Sequence, residues 1–432
     1  MTEVYSYRVK GDQHGRIVEK KETVAGRQVT WNYSYDDAGR LFQAHLDDRL
    51  IFQGYYDNEG RRMRDYLPVT VGPRFRDYRY TTDNRLQAAG NSGYTHDANG
   101  FRCIWANGGT YHLYEYAPDY RLLSMKIENQ DHVVTFLHDD NGQRVAKQLN
   151  GQTVEVYQWL DFLRLAAFHD GGVGYEFEYE NDERLPSAMR REDGAVYTLH
   201  YDQVGSLRVV ADSANNVIKE ILYDPFGGII RDTNPDIRVP IGFAGGLHDR
   251  NLGFVRFGWR DYDPFTGRWT APDPIGDAGG DPDWYGYCLD DPVNAHDPNG
   301  LMGVIAPLII GKTLVTAIAG TGLYGAAKGV DLLGENIDEN YGKDKPTATE
   351  GVHDSMKKVA GIQAGTVGAG VLGAGGAAVA RFGRLNPGYV ATATELIDGA
   401  FNSGQPPQSS AGILGLGVKE TIDRLEEWRK RR

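Results

Sequence analysis

Carboxylate side chains are concentrated shortly before residue 301 of this 432-residue chain. Nine aspartates lie between residues 255 and 301, and two of them, Asp273 and Asp297, each begin an Asp-Pro-x-Gly unit. Two carboxylates held close together cannot both ionise cheaply, so one keeps a proton while the other can accept one. Such a pair can activate water and protonate a leaving amide. The pattern indicates acid–base hydrolysis, for which we expect neither a metal nor another cofactor.

Turn formation is the competing explanation for these aspartates. Asp-Pro and Asp-Gly pairs begin turns, because Asx side chains hydrogen-bond to their own backbone. Asn299-Gly300 is itself a strong turn dipeptide. Most of the nine should therefore be turn residues, and the segment could be a purely structural plug. The positions of the two Asp-Pro-x-Gly units favour a catalytic role. The units frame a Tyr-rich stretch, and the composition changes directly after the second unit.

Composition divides the chain near residue 301. Residues 1–301 carry 32 Lys and Arg against 46 Asp and Glu, whereas residues 302–432 carry 14 against 13. The whole chain has a net charge of -13, which argues against non-specific nucleic-acid binding by the acidic part. Its two cysteines are too few for a disulfide framework or a four-cysteine zinc site. The first ten residues lack the apolar stretch of a signal peptide.

A short unit recurs through the acidic part, reading Tyr or His, Asp, a few polar residues, Gly, then Arg. It is clearest at residues 35–41 and 56–61. Further copies begin at Tyr80, His96, Tyr116, His138, Tyr179, Tyr201 and Tyr223, with a degenerate copy near Tyr157. A period of about 20 residues indicates a repeat architecture. Each unit has a turn signal between alternating, strand-favouring residues, which predicts stacked β-hairpins. A plain β-sandwich with irregular hairpins is the alternative.

The units resemble the YD repeats of Rhs proteins, teneurins and the C components of Tc toxins, which wind into a hollow β-shell. The sequence that follows resembles the RHS repeat-associated core domain through YDPFG, GFAGG, WRDYDPFTGRW, PDPIG and the terminal DPNGL. The resemblance implies a mainly β fold. A YD-repeat hairpin spiral would span residues 1–222, a core domain that closes it would span 223–301, and a variable tail would span 302–432.

The resemblance also implies a reaction, because in that family the core domain cuts its own chain after the Leu of DPxGL. Carried over by motif, the cut falls between Leu301 and Met302. The matching candidates for catalysis are Asp273, Asp297 and Asp261, with Arg260 as a charge partner. Spacing does not decide which two carboxylates form the working pair, and we rank them in that order.

Two apolar stretches mark the tail. Residues 304–327 contain a single charge, Lys312, and residues 359–380 contain none. Each is long enough to span a bilayer as a helix. Both are rich in the small residues that let membrane helices approach closely. We therefore predict a mostly α-helical, membrane-inserting tail. A soluble segment is the alternative, because Ala and Gly give weak transfer energies and each Gly opposes helix by about 1 kcal/mol.

The resemblance implies a polymorphic toxin, in which the shell encloses the tail and self-cleavage releases it as the effector. We expect such a protein in the bacterial cytoplasm before export and then as a secreted effector with a membrane-associated tail. The implied partners are a cognate immunity protein, a secretion-system tip or chaperone, and a target membrane. The alternatives are an enzymatic tail of unknown reaction and a non-toxic YD-repeat surface or interaction protein. No turnover enzyme is identified.

Overall fold

Almost all of the regular structure is β-strand. The computed structural model describes residues 4–181, 183–301, 303–305, 308–310 and 313–315. The first 22 strands form one sheet: β1 (Tyr5–Gly11), β2 (Ile17–Val24), β3 (Arg27–Tyr35), β4 (Leu41–Leu46), β5 (Arg49–Tyr56), β6 (Arg62–Tyr66), β7 (Arg76–Tyr80), β8 (Leu86–Ala89), β9 (Ser92–His96), β10 (Arg102–Asn107), β11 (Thr110–Tyr116), β12 (Leu122–Ile127), β13 (Val133–His138), β14 (Arg144–Leu149), β15 (Gln152–Trp159), β16 (Leu165–His169), β17 (Gly174–Glu178), β18 (Ala188–Arg191), β19 (Val196–Tyr201), β20 (Leu207–Asp212), β21 (Val217–Tyr223) and β22 (Ile229–Asp232).

Shorter elements follow this sheet. A four-stranded sheet contains β23 (Leu247–His248), β24 (Val255–Phe257), β25 (Arg260–Asp263) and β26 (Arg268–Trp269). Two small hairpins pair β27 (Ala295–His296) with β28 (Val304–Ile305) and β29 (Leu308–Ile310) with β30 (Thr313–Val315). Single 3₁₀ turns lie at Phe243–Gly245, Gly276–Gly279 and Cys288–Asp290.

The large sheet is a continuous antiparallel meander in which each strand pairs with the next along the chain, from β1 through to β22. Strands at the repeats end on the predicted aromatic residue, for example β3 at Tyr35, β5 at Tyr56 and β19 at Tyr201. The degenerate copy falls at Trp159, where β15 ends. The prediction that each unit is a β-hairpin is therefore confirmed, and the plain β-sandwich is wrong.

Neighbouring repeats are joined by a Tyr, an Asp and an Arg. In the turn after β3, Asp36 accepts from the backbone N–H groups of Gly39 and Arg40 and from Arg40 Nε at 2.7 Å. The Arg40 guanidinium then stacks on Tyr56 of the next repeat, 4.5 Å from the ring centroid. The Tyr56 hydroxyl donates back to Leu41 O at 2.7 Å. The same arrangement recurs at Asp12–Arg16–Tyr35, Asp57–Arg61–Tyr80 and Asp161–Arg164–Tyr179.

The sheet curls until its first strands meet its last ones. Glu22 on β2 is fully buried and accepts two hydrogen bonds from Arg208 on β20, at 3.2 and 3.1 Å. Tyr5 on β1 packs in one apolar cluster with Val209 and Ala211 of β20. A right-handed strand twist that accumulates over many strands produces such curvature. The ring closes through side chains at this seam.

Residues after β22 lie against the inner face of the ring and are tied to it by buried ion pairs. Arg102 Nη1 lies 2.6 Å from Asp263 Oδ2, and Lys147 Nζ lies 3.1 Å from Asp249 Oδ2. Further pairs join Arg62 to Asp290 and Arg144 to Asp261. Around them, the aromatic rings of Phe243, Phe257, Tyr262, Trp269 and Tyr287 pack within the largest apolar cluster. A buried charge needs its partner, so these pairs fix where the inner segment lies.

The predicted helical tail lies almost wholly outside the described residues. Three short strands, β28 to β30, cover the described part of the first apolar stretch, where the sequence predicts helix. Val304 and Ile305 are β-branched, which favours strand over helix. The second apolar stretch, 359–380, is not among the described residues. The part of the chain that the structure describes contains no helix with the length and apolar character needed to cross a bilayer.

The repeat turns predict a difference between two adjacent aspartates. Asp36→Ala removes an acceptor for two backbone N–H groups and for Arg40, so the free energy of unfolding should fall by about 1–3 kcal/mol. Asp37 is exposed and makes no hydrogen bond to another described residue. Asp37→Ala should therefore stay within about 0.5 kcal/mol of the parent in urea unfolding. Equal losses in the two variants would contradict this role of Asp36.

Candidate active site

Asp273 and Asp297 each use their two carboxylate oxygens differently. Asp273 Oδ1 accepts from the backbone N–H of Ile275 at 2.9 Å, and Asp297 Oδ1 accepts from that of Leu301 at 3.1 Å. The Oδ2 atoms lie 2.7 and 3.5 Å from one nitrogen, Nη2 of Arg260. Each aspartate therefore forms the turn that its sequence predicts and also presents one oxygen to a shared cation.

Arg260 begins β25, and its side chain is only 2% exposed. Besides the two carboxylates, its Nε donates to Gly300 O at 2.5 Å and its Nη1 donates to Trp284 O at 3.1 Å. The guanidinium lies over the ring of Trp269, 4.2 Å from the centroid. Because all three nitrogens have acceptors and the face is stacked, this side chain has little freedom to move.

The loop that carries the predicted cut is held against β24 and β25. The backbone N–H of Trp259 donates to Asn299 O at 2.9 Å, next to the bond from Arg260 to Gly300 O. Gly300 has φ of 69°, and a β-carbon there would stand 2.5 Å from Phe257 O. A side chain at this position would therefore force the loop away from the strand. The DPxGL motif therefore requires glycine at this position for a steric reason.

The Leu301 carbonyl group lies beside Asp273. A β-carbon built on Gly279 would stand 2.7 Å from Asp273 Oδ2 and 3.0 Å from Leu301 O, so the two oxygens flank one point. Both residues line a cavity together with Arg260, Trp269 and Asp297. It has about 40 Å³ open to the centre of a water molecule. One water needs about 10–15 Å³ on this measure, so the cavity has room for it.

The protonation of Asp273 is set by opposing contacts. Burial raises the pKa of Asp273 to about 6, and the negative charge of Asp297 pushes in the same direction. The Arg260 guanidinium and the N–H of Ile275 oppose that increase in pKa. An ordinary aspartate has a pKa of about 3.9, so this carboxyl group can keep a proton far closer to neutral pH than most.

Asp261 is placed differently from the other candidates. Neighbouring residues of a strand point to opposite faces, so Arg260 turns toward the Leu301 loop and Asp261 turns away from it. The Asp261 carboxylate lies 2.9 Å from Arg256 Nη1 and 3.3 Å from Arg144 Nη2. The structure therefore brings Arg260, Asp273, Asp297 and Leu301 together, and it leaves Asp261 with two other arginines. Met302 lies outside the described residues.

Two features of the cavity wall were missed from the sequence. Asp281 borders the cavity, and burial together with the nearby charge of Asp283 raises the pKa of Asp281 well above its usual range. Cys288 and Leu289, which line the cavity, and the adjacent Asp290 all have positive φ, at 52, 54 and 56°. Such values are costly for residues other than glycine and often occur at functional sites. Nothing in local composition distinguishes these residues from ordinary turns, so no sequence signal identifies them.

The arrangement holds the kinds of group that acid–base hydrolysis of one peptide bond would use. It combines a protonatable carboxyl group, a second carboxylate, a cavity for water and the neighbouring Leu301 carbonyl group. Among the described residues, no group of three or more His, Cys, Asp or Glu side chains is arranged to hold a metal ion.

Comparison with known proteins gives a consistent family match. The family model described as Teneurin YD-shell matches residues 1–278. Teneurin-1 of Gallus gallus is 30% identical over 276 residues, covering 62% of this chain and 10% of that protein. Teneurin-4 of Homo sapiens is 27% identical over 277 residues, with the same coverage. The chain thus spans about a tenth of the length of these curated relatives.

A solved structure is similar to the chain over a comparable length. The crystal structure of TcdB2-TccC3 without the hypervariable C-terminal region has a TM-score of 0.46 and 17% sequence identity. The similarity covers 69% of this chain and 17% of that one.

The contacts of Asp273 predict how its titration changes. Its carboxyl ¹³C resonance, identified by its loss in Asp273→Asn, should titrate with a midpoint near 6. Asp297→Asn should lower this midpoint, because it removes the negative charge that raises the pKa of Asp273. Asp277→Asn, on an exposed residue of the same loop, should leave it unchanged. A midpoint near 3.9 in the parent would contradict the described burial.

Proposed function

Because the chain belongs to the teneurin YD-shell family, we propose that it is a Rhs-type shell protein whose core segment cuts its own chain between Leu301 and Met302. The observation that carries the proposal is the position of Asp273 and Asp297. Both direct Oδ2 to Arg260 Nη2, and Asp273 Oδ2 flanks the Leu301 carbonyl oxygen. The reaction is an intramolecular, aspartic-type hydrolysis that needs no metal.

The proposed reaction uses one carboxylate as base and the other carboxyl group as acid. A water molecule attacks the Leu301 carbonyl carbon while ionised Asp297 accepts its proton. Protonated Asp273, with a pKa of about 6, donates its proton to the Met302 nitrogen as the C–N bond breaks. The products are a carboxylate at Leu301 and a free amine at Met302. Two carboxyl groups with different protonation states are what this division of roles requires.

Arg260 and Asp261 have supporting roles in this proposal. Arg260 fixes the loop through Gly300 O and keeps the two carboxylates near one another, so it is a positioning residue. Asp261 remains the third candidate, because its carboxylate would have to leave Arg144 and Arg256 to reach the bond. The hypothesis that the shell encloses the tail needs additional shell surface, since residues after β22 already occupy the inner face of this ring.

Removal of the proposed acid should stop the cut. When the unfolded full-length chain is diluted from urea, the parent should release a C-terminal fragment visible on a denaturing gel. Asp273→Asn should slow this by at least about 10²-fold, because general acid catalysis is lost. In the parent, the rate should fall as pH rises through about 6, since the protonated form of Asp273 is lost there. Asp277→Asn should cut at the parental rate.

A steric variant separates chemistry from loss of charge. Gly279→Ala keeps every charged group but places a methyl group between Asp273 Oδ2 and Leu301 O. A displacement of about 1 Å can cost 10²-fold in rate, so we expect at least about tenfold slower cleavage. Gly172→Ala is the control, because its β-carbon would stand in ordinary contact, 3.6 Å from Asp170 Oδ1. Unchanged fragment release by both Asp273→Asn and Gly279→Ala would remove this site from the reaction.

For the tail, we propose that residues 302–432 insert into membranes as the effector. Its two apolar stretches, 304–327 and 359–380, support this. A polypeptide of residues 302–432 should release dye from liposomes. Leu372→Asp should reduce that release, because a charge at a helix centre costs about 2.5–3.5 kcal/mol to insert. Ser409→Asp, outside both stretches, should have no effect. Toxicity without leakage would favour an enzymatic tail instead.

The alternative is a non-toxic YD-repeat surface or interaction protein. The match to teneurins favours this alternative, because it covers residues 1–278 and leaves out the tail that the toxin proposal requires. A full-length chain that releases a fragment, with neither toxicity nor leakage from the tail, would support this alternative. A cognate immunity protein, a secretion-system tip or chaperone, and export from the bacterial cytoplasm belong to the toxin proposal only.

A further inference from the structure

A second cavity, distinct from the one beside Leu301, has an excess of positive charge. Its walls include the aromatic side chains of Trp159, Phe162 and Tyr179. Three arginines also line it: Arg144, Arg184 and Arg256. None of the described residues that line it is acidic. Among the described residues, the carboxylate that forms ion pairs with these arginines is that of Asp261, which lies 3.3 Å from Arg144 Nη2 and 2.9 Å from Arg256 Nη1.

Arg184 is held by two glycines. A β-carbon on Gly245 would stand 2.5 Å from Nη1 of Arg184, and one on Gly205 would stand 2.7 Å from Nη2. Both glycines have positive φ, at 73 and 91°, where other residues are strained. The backbone thus leaves a slot for a guanidinium between two turns. The position of the charged group is therefore determined by the fold and not by a partner side chain.

No acidic group neutralises Arg184 in the described part of the chain. It makes no hydrogen bond or ion pair there, and its electrostatic neighbours are three tyrosines, Tyr179, Tyr201 and Tyr287, and the imidazole of His296. Burial lowers the pKa of Arg184 to about 10, so it is still charged at neutral pH. The Arg184 side chain is half-buried, and its guanidinium has five N–H donors for which no described residue is a hydrogen-bond partner. A partly desolvated guanidinium with no carboxylate beside it favours the binding of an anion.

Further buried polar atoms near Arg184 lack hydrogen-bond partners. Arg144 Nε and the Tyr201 hydroxyl are both buried without one among the described residues. Arg144 lines the same cavity, and Tyr201 lies within the electrostatic range of Arg184. Buried polar atoms in folded proteins are paired in the great majority of cases. These two unpaired donors and the Arg184 guanidinium form surroundings that an oxygen-rich anion would satisfy.

We propose that this cavity binds a small oxyanion from solution, either phosphate or a carboxylate, with Arg184 as the principal ligand. The planar guanidinium can bind two oxygens of such a group at once, and Arg144 and Arg256 add positive charge. Pro298 also lines the cavity, so the anion would lie behind the loop that carries Leu301. It would lie on the Asp261 side of β25, whereas Asp273 lies on the Arg260 side.

Thermal unfolding of the full-length chain tests the proposal. At matched ionic strength, the unfolding midpoint should rise with added inorganic phosphate, or with acetate, above its value in potassium chloride, because a ligand that binds only the folded state stabilises it. The larger of the two shifts identifies the anion. Arg184→Gln should weaken the affinity at least tenfold and remove the shift. Arg190→Gln is the control, because Arg190 is exposed and pairs with Glu178.

Two results would overturn the proposal. One is a parental unfolding midpoint that is the same in phosphate, acetate and potassium chloride at matched ionic strength. The other is an Arg184→Gln variant whose midpoint still rises as much as that of the parent in phosphate or acetate. If Arg184→Gln does not fold, calorimetric titration of the parental chain with phosphate and with acetate replaces it. Saturable binding of one anion per chain supports the site, and an absence of binding heat for both anions rejects it.

Discussion

Pairing of buried charges determines how the two parts of this chain fit together. Arg62 of β6, Arg102 of β10, and Arg144 and Lys147 of β14 extend inward from the ring, and each meets an aspartate of the inner segment. Breaking such a pair typically costs about 3–5 kcal/mol, because it leaves a buried charge without a partner. Apolar packing brings the inner segment into the ring, but these pairs set its register. The Leu301 loop depends on that register, because it is held by Arg260 of the same segment.

Turn formation and the proposed chemistry are compatible for the same aspartates. Asp273 and Asp297 each close a turn with Oδ1, which fixes the carboxylate, and present Oδ2 to Arg260. The turn thus supplies the rigidity that a catalytic group needs, and a backbone N–H group provides it without a further side chain. The strand periodicity of β25 separates the two proposed sites in a similar way. Arg260 faces the Leu301 loop, whereas Asp261 faces the arginines of the proposed oxyanion site.

The repeats were predictable because each one carries its own turn signal and joins only its neighbours. Every Tyr–Asp–Arg set acts over one repeat, so local pattern contains the necessary information. Ring closure at Glu22 and Arg208 was not predictable, because it joins residues 186 positions apart. The candidates Asp273, Asp297 and Arg260 came from motif resemblance, and their meeting at one nitrogen depends on tertiary structure. The same holds for Gly279 and for the slot around Arg184, which arise only from packing.

The central claim is that the Asp273–Asp297 site cuts the chain at a single bond. Intact-mass measurement of the products formed by the refolded parental chain tests it most directly. The account predicts two polypeptides, one ending at Leu301 and one beginning at Met302, whose masses together exceed that of the intact chain by one water molecule. A chain that folds and stays intact, or a fragment that begins at any other residue, would contradict it.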